Sequence, residues 1–212
     1  MTVKRSYSST KRAAQARETR RSILDAAAEL FVGTGYTATT IQAIAEQAGV
    51  AVQTVYAVFG NKRELLRQLI ESAIVGNEEP LPMTERAETQ AIADEPDARR
   101  RAALDAAMSR SIIERVAPIV RVATEAAASD PELAAMMDAV RAARRREMTA
   151  AARILGGPDG LRTDVEDAAA TLYVLYSPAV ADMLMGDYGW STARFEKWLA
   201  RMMLATVIGD SH

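Results

Sequence analysis

The 212-residue sequence has no cysteine, and its single histidine is the terminal His212. The first absence excludes disulfides and thiolate metal sites and suits a reducing compartment. The second leaves imidazole catalysis and His-cluster metal binding almost without means. Phe, Trp and Tyr together make up only 5% of the chain, a poor supply for strands, which favour aromatic and β-branched residues. Long unbroken apolar runs are also missing. The most apolar stretch, Ala168 to Ala181, contains Thr171, Ser177 and Pro178 and falls short of the roughly 20 residues that a membrane helix needs. The amino-terminal segment is basic but has no apolar core of the kind a secretory signal requires. What is abundant is Ala, Leu, Arg, Glu and Met, whose unbranched side chains lose little rotamer freedom in a helix. These features predict a soluble, cytoplasmic, all-α protein that uses no cofactor and has no membrane partner.

The formal net charge of −2 hides an uneven distribution. Up to residue 63 there are nine Lys/Arg and four Asp/Glu; beyond it there are seventeen and twenty-four. A basic head on an acidic body fits a module for a polyanion joined to a body that does not bind one.

Hydrophobic period divides the chain into helices. Residues 1–16 have none and read as a flexible basic arm in which Lys4, Arg5, Lys11 and Arg12 are available for salt-sensitive phosphate contact. Ile23, Ala27, Leu30 and Phe31 then mark one face of a first helix, which ends near Gly33 and Gly35. Thr39 or Thr40 is placed to cap a short second helix, with Thr39 and Gln42 at capping-box spacing. Gly49 closes it, and a third helix runs from about Ala51 to Phe59. Asn61 and Glu64 cap a fourth. Gly76 to Pro96 reads mainly as linker, with room for a short helical piece. Helical patterns then run from Pro96 to a break or kink at Pro118, and from the start signal Ser129–Asp130–Pro131 to the loop at 156–160. Thr163 with Glu166 has capping-box spacing for the next helix, and Ser191 caps the last.

Residues 36–66 carry the functional signal. Two short helices meet across a Gly-containing turn, held by Ile41, Ile44, Ala45, Val50, Val55 and Phe59. This is helix-turn-helix anatomy, in which the second helix presents its amino-terminal side chains to the major groove. The pattern Thr39–Thr40, Ile44–Ala45, Ala48–Gly49–Val50, Thr54–Val55–Tyr56, Phe59, Lys62 and Leu65 resembles the DNA-binding domain of the tetracycline-repressor (TetR) family over about residues 17–70. The ending Gly189, Trp190, Phe195, Glu196, Trp198, Leu199 is similar to that of many members.

The resemblance implies a helix-turn-helix domain at 17–62 and a helical effector-binding and dimerisation domain at 63–212. It implies that Gln53 contacts a base edge, since its amide can donate to and accept from adenine, and that Val52 packs on a thymine methyl. It implies phosphate contacts for Thr40, Thr54, Tyr56 and Lys62, which set register. Two departures stand out. Ala51 occupies a position where the family often has a capping serine, and Ala57–Val58 replace a frequent His–Tyr pair. Taken singly, Tyr56 reads as a packing residue and Lys62 as a surface lysine; their joint placement carries the signal.

For the body, the resemblance implies a homodimer built from the last two helices of each subunit. Its expected interface residues are Leu172, Tyr176, Val180, Met183, Trp198, Leu199 and Met202. Packing of the same faces inside one subunit is the competing reading. A small-molecule pocket among the middle helices is expected to use Met108, Ile112, Arg121, Met137 and Tyr173, with Met136, Arg115 and Glu125 nearby. Arg99–Arg101 and Arg144–Arg146 read as solvated or ion-paired faces. The whole predicts a ligand-responsive regulator, most simply a repressor on palindromic operator DNA, and not an enzyme. The alternatives are a helical interaction protein and a nucleic-acid enzyme targeted by the helix-turn-helix.

Overall fold

A computed structural model describes the backbone at residues 3–76 and 83–209, and side chains from residue 12 onward within those ranges. Ten α-helices are described: α1 Val3–Thr34, α2 Ile41–Ala48, α3 Val52–Phe59, α4 Lys62–Val75, α5 Ala87–Asp94, α6 Ala98–Ala127, α7 Pro131–Gly156, α8 Val165–Leu175, α9 Pro178–Ala181 and α10 Thr192–Thr206. Among the described residues there is no strand, only an isolated bridge between Leu161 and Ile208. The chain is all-α, as its composition predicts.

The helices group into two compact units. One takes Met1–Glu71 with Arg121–Ala134, the other Ser72–Val120 with Ala135–His212. The chain therefore crosses between units three times, within α4, α6 and α7, where the sequence pattern suggests one boundary near residue 62.

In the first unit Ile23, Ala27 and Phe31 of α1 are fully buried with Ile44, Leu65 and Leu66. Val122, Ala123 and Leu133, far off in sequence, are buried in the same unit. The backbone is helical from Val3, where the absence of an apolar period suggests an unstructured arm. Nothing from Val3 to Val32 is Gly or Pro, so a helix started by the buried stripe can propagate backwards with no core face of its own. The side chains of Lys4, Arg5 and Lys11 lie outside the described residues; Arg12 is exposed.

The second unit is built around Ala102, Ala106, Ile113, Leu155, Leu172, Phe195, Leu199 and Met203. Among the described residues of the expected linker are a 3-10 turn, Met83–Glu85, and the short helix α5. Pro118 neither breaks nor ends α6, which runs unbroken for 30 residues. The helix is held on both sides of it by the buried Val116, Ala117, Ile119, Val122 and Ala123, whose burial opposes the roughly 3 kcal/mol that an interior proline costs. Pro178 instead opens a new helix after α8, and the two segments bend by 48°.

Capping follows local chemistry. Asp130 and Ser191 cap α7 and α10 as expected. For α8 the cap is Asp164, which accepts from the Glu166 and Asp167 amides at 2.9 Å, and not Thr163. An aspartate at that position competes well with a threonine one residue earlier.

Arg101 corrects the reading of Arg99–Arg101 as a surface run. Its side chain is wholly buried and donates to the carbonyls of Leu155, Gly156, Glu95 and Pro96 and to the Asp159 carboxylate. A guanidinium has five N–H groups, and this set of acceptors is what makes its burial tolerable.

Candidate nucleic-acid interface

The helix-turn-helix is assembled by short-range chemistry. Thr40 caps α2, its hydroxyl accepting from the Ala43 amide at 3.1 Å. Thr39 is buried and turns back, its hydroxyl donating to the Gly35 carbonyl at 2.8 Å and lying 2.9 Å from the Thr34 hydroxyl. The capping-box pairing of Thr39 with Gln42 is thus not formed. At Gly49 the backbone enters the left-handed region, φ 69°, and its N–H returns to Ala45 and Glu46 carbonyls. Only glycine adopts that conformation without a Cβ penalty. The turn aims α3 so that Val55 and Phe59 are buried while Gln53 and Tyr56 are exposed, Tyr56 by 51%.

Of the residues expected at DNA, Thr40, Gln53 and Tyr56 are exposed, and Val52, Thr54 and Lys62 are partly buried. Ala51, the first residue before α3, makes no side-chain cap. Lys62 is the exception in role. Its Nζ donates to the Tyr36 and Thr39 carbonyls, both at 2.9 Å, and lies 4.3 Å from the centre of the Tyr36 ring. Burial lowers its pKa, partly countered by Asp130. An ammonium with two of three N–H groups taken by backbone works first as a brace between α4 and the turn before α2. That brace was not legible locally, since it joins residues 23 and 26 positions apart. Nearby, burial and the Asp130 carboxylate raise the Tyr36 pKa, and Arg63 pairs with Glu132.

Residues expected in a ligand pocket are dispersed. Met108 and Ile112 line a groove of about 580 Å³ in the second unit, together with Val75, Met83, Arg86, Leu104 and Arg115. Arg121, Met137 and Tyr173 are not among its lining residues. Arg121 is exposed in the first unit, and Met137 is buried in the second. Tyr173 is covered by the Arg144 guanidinium at 4.2 Å, which also donates to its carbonyl at 2.7 Å. Arg86 escaped sequence reading because it falls in what looks like linker.

The expected interface residues also divide. Leu172 and Leu199 have no exposed surface, and Tyr176 is buried with its hydroxyl on the Asp105 carboxylate. Side chains sealed inside one subunit cannot meet another, so these three belong to the core. Met183 is 50% exposed and Val180, Trp198 and Met202 are partly exposed, while Val174 and Tyr188 add exposed apolar surface that sequence period did not single out.

Among the described residues no cluster of three or more His, Cys, Asp or Glu is placed to hold a metal ion. No single described helix is long and apolar enough to cross a membrane, although the bent pair Val165–Leu175 and Pro178–Asp187 passes the length and composition test together.

A long first helix, two short helices joined by a glycine turn and an exposed face on the second of them define a helix-turn-helix segment. Residues 23–69 match the model of "Bacterial regulatory proteins, tetR family". The HTH-type transcriptional regulator TtgW of Pseudomonas putida is 45% identical over 62 residues, 29% of this chain and 46% of TtgW. The matches to curated relatives span less than half the length of each. In fold, the chain is similar to NalD, the secondary repressor of the MexAB-OprM multidrug efflux pump in Pseudomonas aeruginosa, with TM-score 0.64, 20% identity and coverage of 91% of this chain and 97% of NalD. It is also similar to a transcriptional regulator of Saccharomonospora viridis solved with choline, with TM-score 0.65, 17% identity and coverage of 91% and 99%. The family match covers the helix-turn-helix segment, residues 23–69, and beyond it the likeness to these regulators is one of fold.

Proposed function

We propose that this chain is a transcriptional regulator that binds palindromic operator DNA as a homodimer, represses, and is released by a small-molecule effector. The observation that carries the reading is the exposed face of α3, where Gln53 and Tyr56 stand clear of the core beside the Thr40 cap. In this reading Gln53 reads a base edge and Val52 a thymine methyl, while Thr40, Thr54 and Tyr56 set the register on phosphates. Lys62 adds its remaining N–H to a phosphate near the start of α4. Two copies of α3 must stand about 34–36 Å apart to enter successive major grooves. The exposed apolar side chains of Val174, Met183 and Tyr188, with Trp198 and Met202, supply the surface for a two-fold partner.

The effector site in this reading is the groove beside Met108 and Ile112. Its occupancy changes the spacing of the recognition helices, and linkage then requires operator DNA to weaken the effector by the same factor. That NalD is named a repressor and the S. viridis regulator was solved with choline agrees in kind with such a role.

The test is an electrophoretic shift with the duplex flanking the chain's own gene, titrated with salt, beside sedimentation of the free protein. Binding as a dimer to a two-fold footprint, with affinity falling steeply with salt, is the expected result. Failure to shift any duplex at low salt would falsify the reading and favour a protein-binding role for the helix-turn-helix.

A further inference from the structure

The carboxyl end of α4 is held by two arginines from elsewhere in the second unit. Arg115 of α6 donates from Nε to the Ala73 carbonyl at 2.9 Å, from Nη2 to the Ile74 carbonyl at 3.4 Å and from Nη1 to the Ser111 hydroxyl at 2.7 Å. Arg86 donates from Nη1 to the Val75 carbonyl at 2.7 Å. The last carbonyls of a helix have no intrahelical donor and carry its negative partial charge, so cations gather there. Arg115 commits three of its five N–H groups, two to these carbonyls and one to the Ser111 hydroxyl. One hydrogen remains on each Nη, the pair that a carboxylate bridges in a forked contact, and the residue is exposed.

The same two arginines line the groove, with Glu88 as the acid among its described lining residues. The rest of the wall is apolar, with Met83, Met108 and Ile112 partly buried and Leu104 42% exposed. The volume of about 580 Å³ lies within the range of small-molecule sites, about 300–1,000 Å³.

We propose that this groove takes an amphipathic molecule with a single anionic head, the acid received by Arg115 beside Arg86 and the apolar body lying along Met83, Leu104, Met108 and Ile112. This names the ligand class for the effector site and rests on the regulator reading only for its consequence at DNA. A neutral amphiphile gains the apolar contact alone. A cationic one meets the Arg115 guanidinium.

Isothermal titration of the full chain with dodecanoate, dodecan-1-ol and dodecyltrimethylammonium, each below its micelle concentration, tests the assignment. Dodecanoate is expected to bind once per chain and about tenfold more tightly than the alcohol, with the cation weakest. Arg115→Gln should bring acid and alcohol to equal affinity, leaving the alcohol unchanged. Leu104→Asp, at a position already exposed, should weaken dodecanoate about tenfold with an unaltered thermal melt; it decides the matter if Arg115→Gln does not fold. Equal affinity for acid and alcohol, preference for the cation, acid preference that survives in Arg115→Gln, or no binding of any probe overturns the proposal. A gel shift on the same preparation without amphiphile separates the two readings. Intact DNA binding with no dodecanoate binding sinks the ligand class alone, and dodecanoate binding without any DNA shift sinks the regulator reading alone.

Discussion

Asp105 is a buried carboxylic acid whose chemistry departs from that of a surface aspartate. It lies buried in the second unit, accepting from the hydroxyls of Tyr176 and Ser109. Burial pushes its pKa up to about 6, against the lowering effect of those two donors. The sign follows from proton counts. Between the ordinary carboxylate pKa near 4 and the folded value near 6, the native state holds the proton that the unfolded chain has lost, so this group's contribution falls as pH rises through that window. The cost is absent below the window and complete above it, at most about 3 kcal/mol. Asp105→Asn should therefore gain stability over the parent chain as pH rises from about 3 to about 7.5, a span that brackets the window, measured by urea unfolding at both ends. A constant difference between the two proteins would show that folding does not raise the Asp105 pKa.

Lys62 poses the opposite case, a cation whose sequence position suggests phosphate and whose geometry shows a brace. Removing it strips partners from the Tyr36 and Thr39 carbonyls. Lys62→Ala should cost about 1–3 kcal/mol in chemical unfolding of the full chain. Its effect on the salt dependence of DNA binding should be no more than a single phosphate contact gives, a change in slope of about 0.9. A fully stable variant with sharply weaker DNA binding would return Lys62 to the phosphate role alone.

At the scale of elements, α3 is short and starts without a side-chain cap, since Ala51 has no oxygen to offer. Its eight residues depend on Val55 and Phe59 for their place. Ala51→Ser should supply the missing acceptor and stabilise the chain by about 0.5–1 kcal/mol, read as a higher urea midpoint with unchanged slope. A midpoint that stays put would mean that solvent already satisfies the first amides of α3. The contrast between Pro118 and Pro178 belongs to this scale too. The two prolines send the same local signal, yet only Pro178 starts a helix, because Pro118 is flanked by side chains buried on both sides while Pro178 follows the end of α8 at Leu175.

At the scale of the molecule, α6 is one of three helices, with α4 and α7, that cannot be assigned to one unit. It carries Leu104, Met108, Ile112 and Arg115 along the groove and buries Val122 and Ala123 in the unit that holds the helix-turn-helix. The exposed apolar side chains near the carboxyl end supply the other prediction at this scale. Met183→Glu should produce a monomer in analytical ultracentrifugation with a native helical spectrum, and lose operator affinity with it. Buried substitutions such as Leu199→Glu should instead unfold the chain. A Met183→Glu protein that remains dimeric would move the interface away from this surface.

Much of this was written in the chain itself. The all-α class follows from helix-forming composition. The helix-turn-helix follows from Gly49, the Thr40 cap and the apolar positions Ile44, Ala45, Val55 and Phe59, all within reach of one another along the backbone. Local chemistry of that kind is legible because its causes lie three or four residues from its effects.

What the sequence could not decide was which of several equivalent apolar or charged residues face inward. Leu172, Tyr176 and Leu199 share their period with Met183 and Trp198, yet the first three are sealed in the core. Arg101 sits in a run with Arg99 and Arg100, and it alone is enclosed by carbonyls more than 50 residues away. Lys62 and Arg115 likewise find their acceptors across the fold. Burial and long-range pairing depend on which surfaces the whole chain brings together, and only the tertiary structure contains that information.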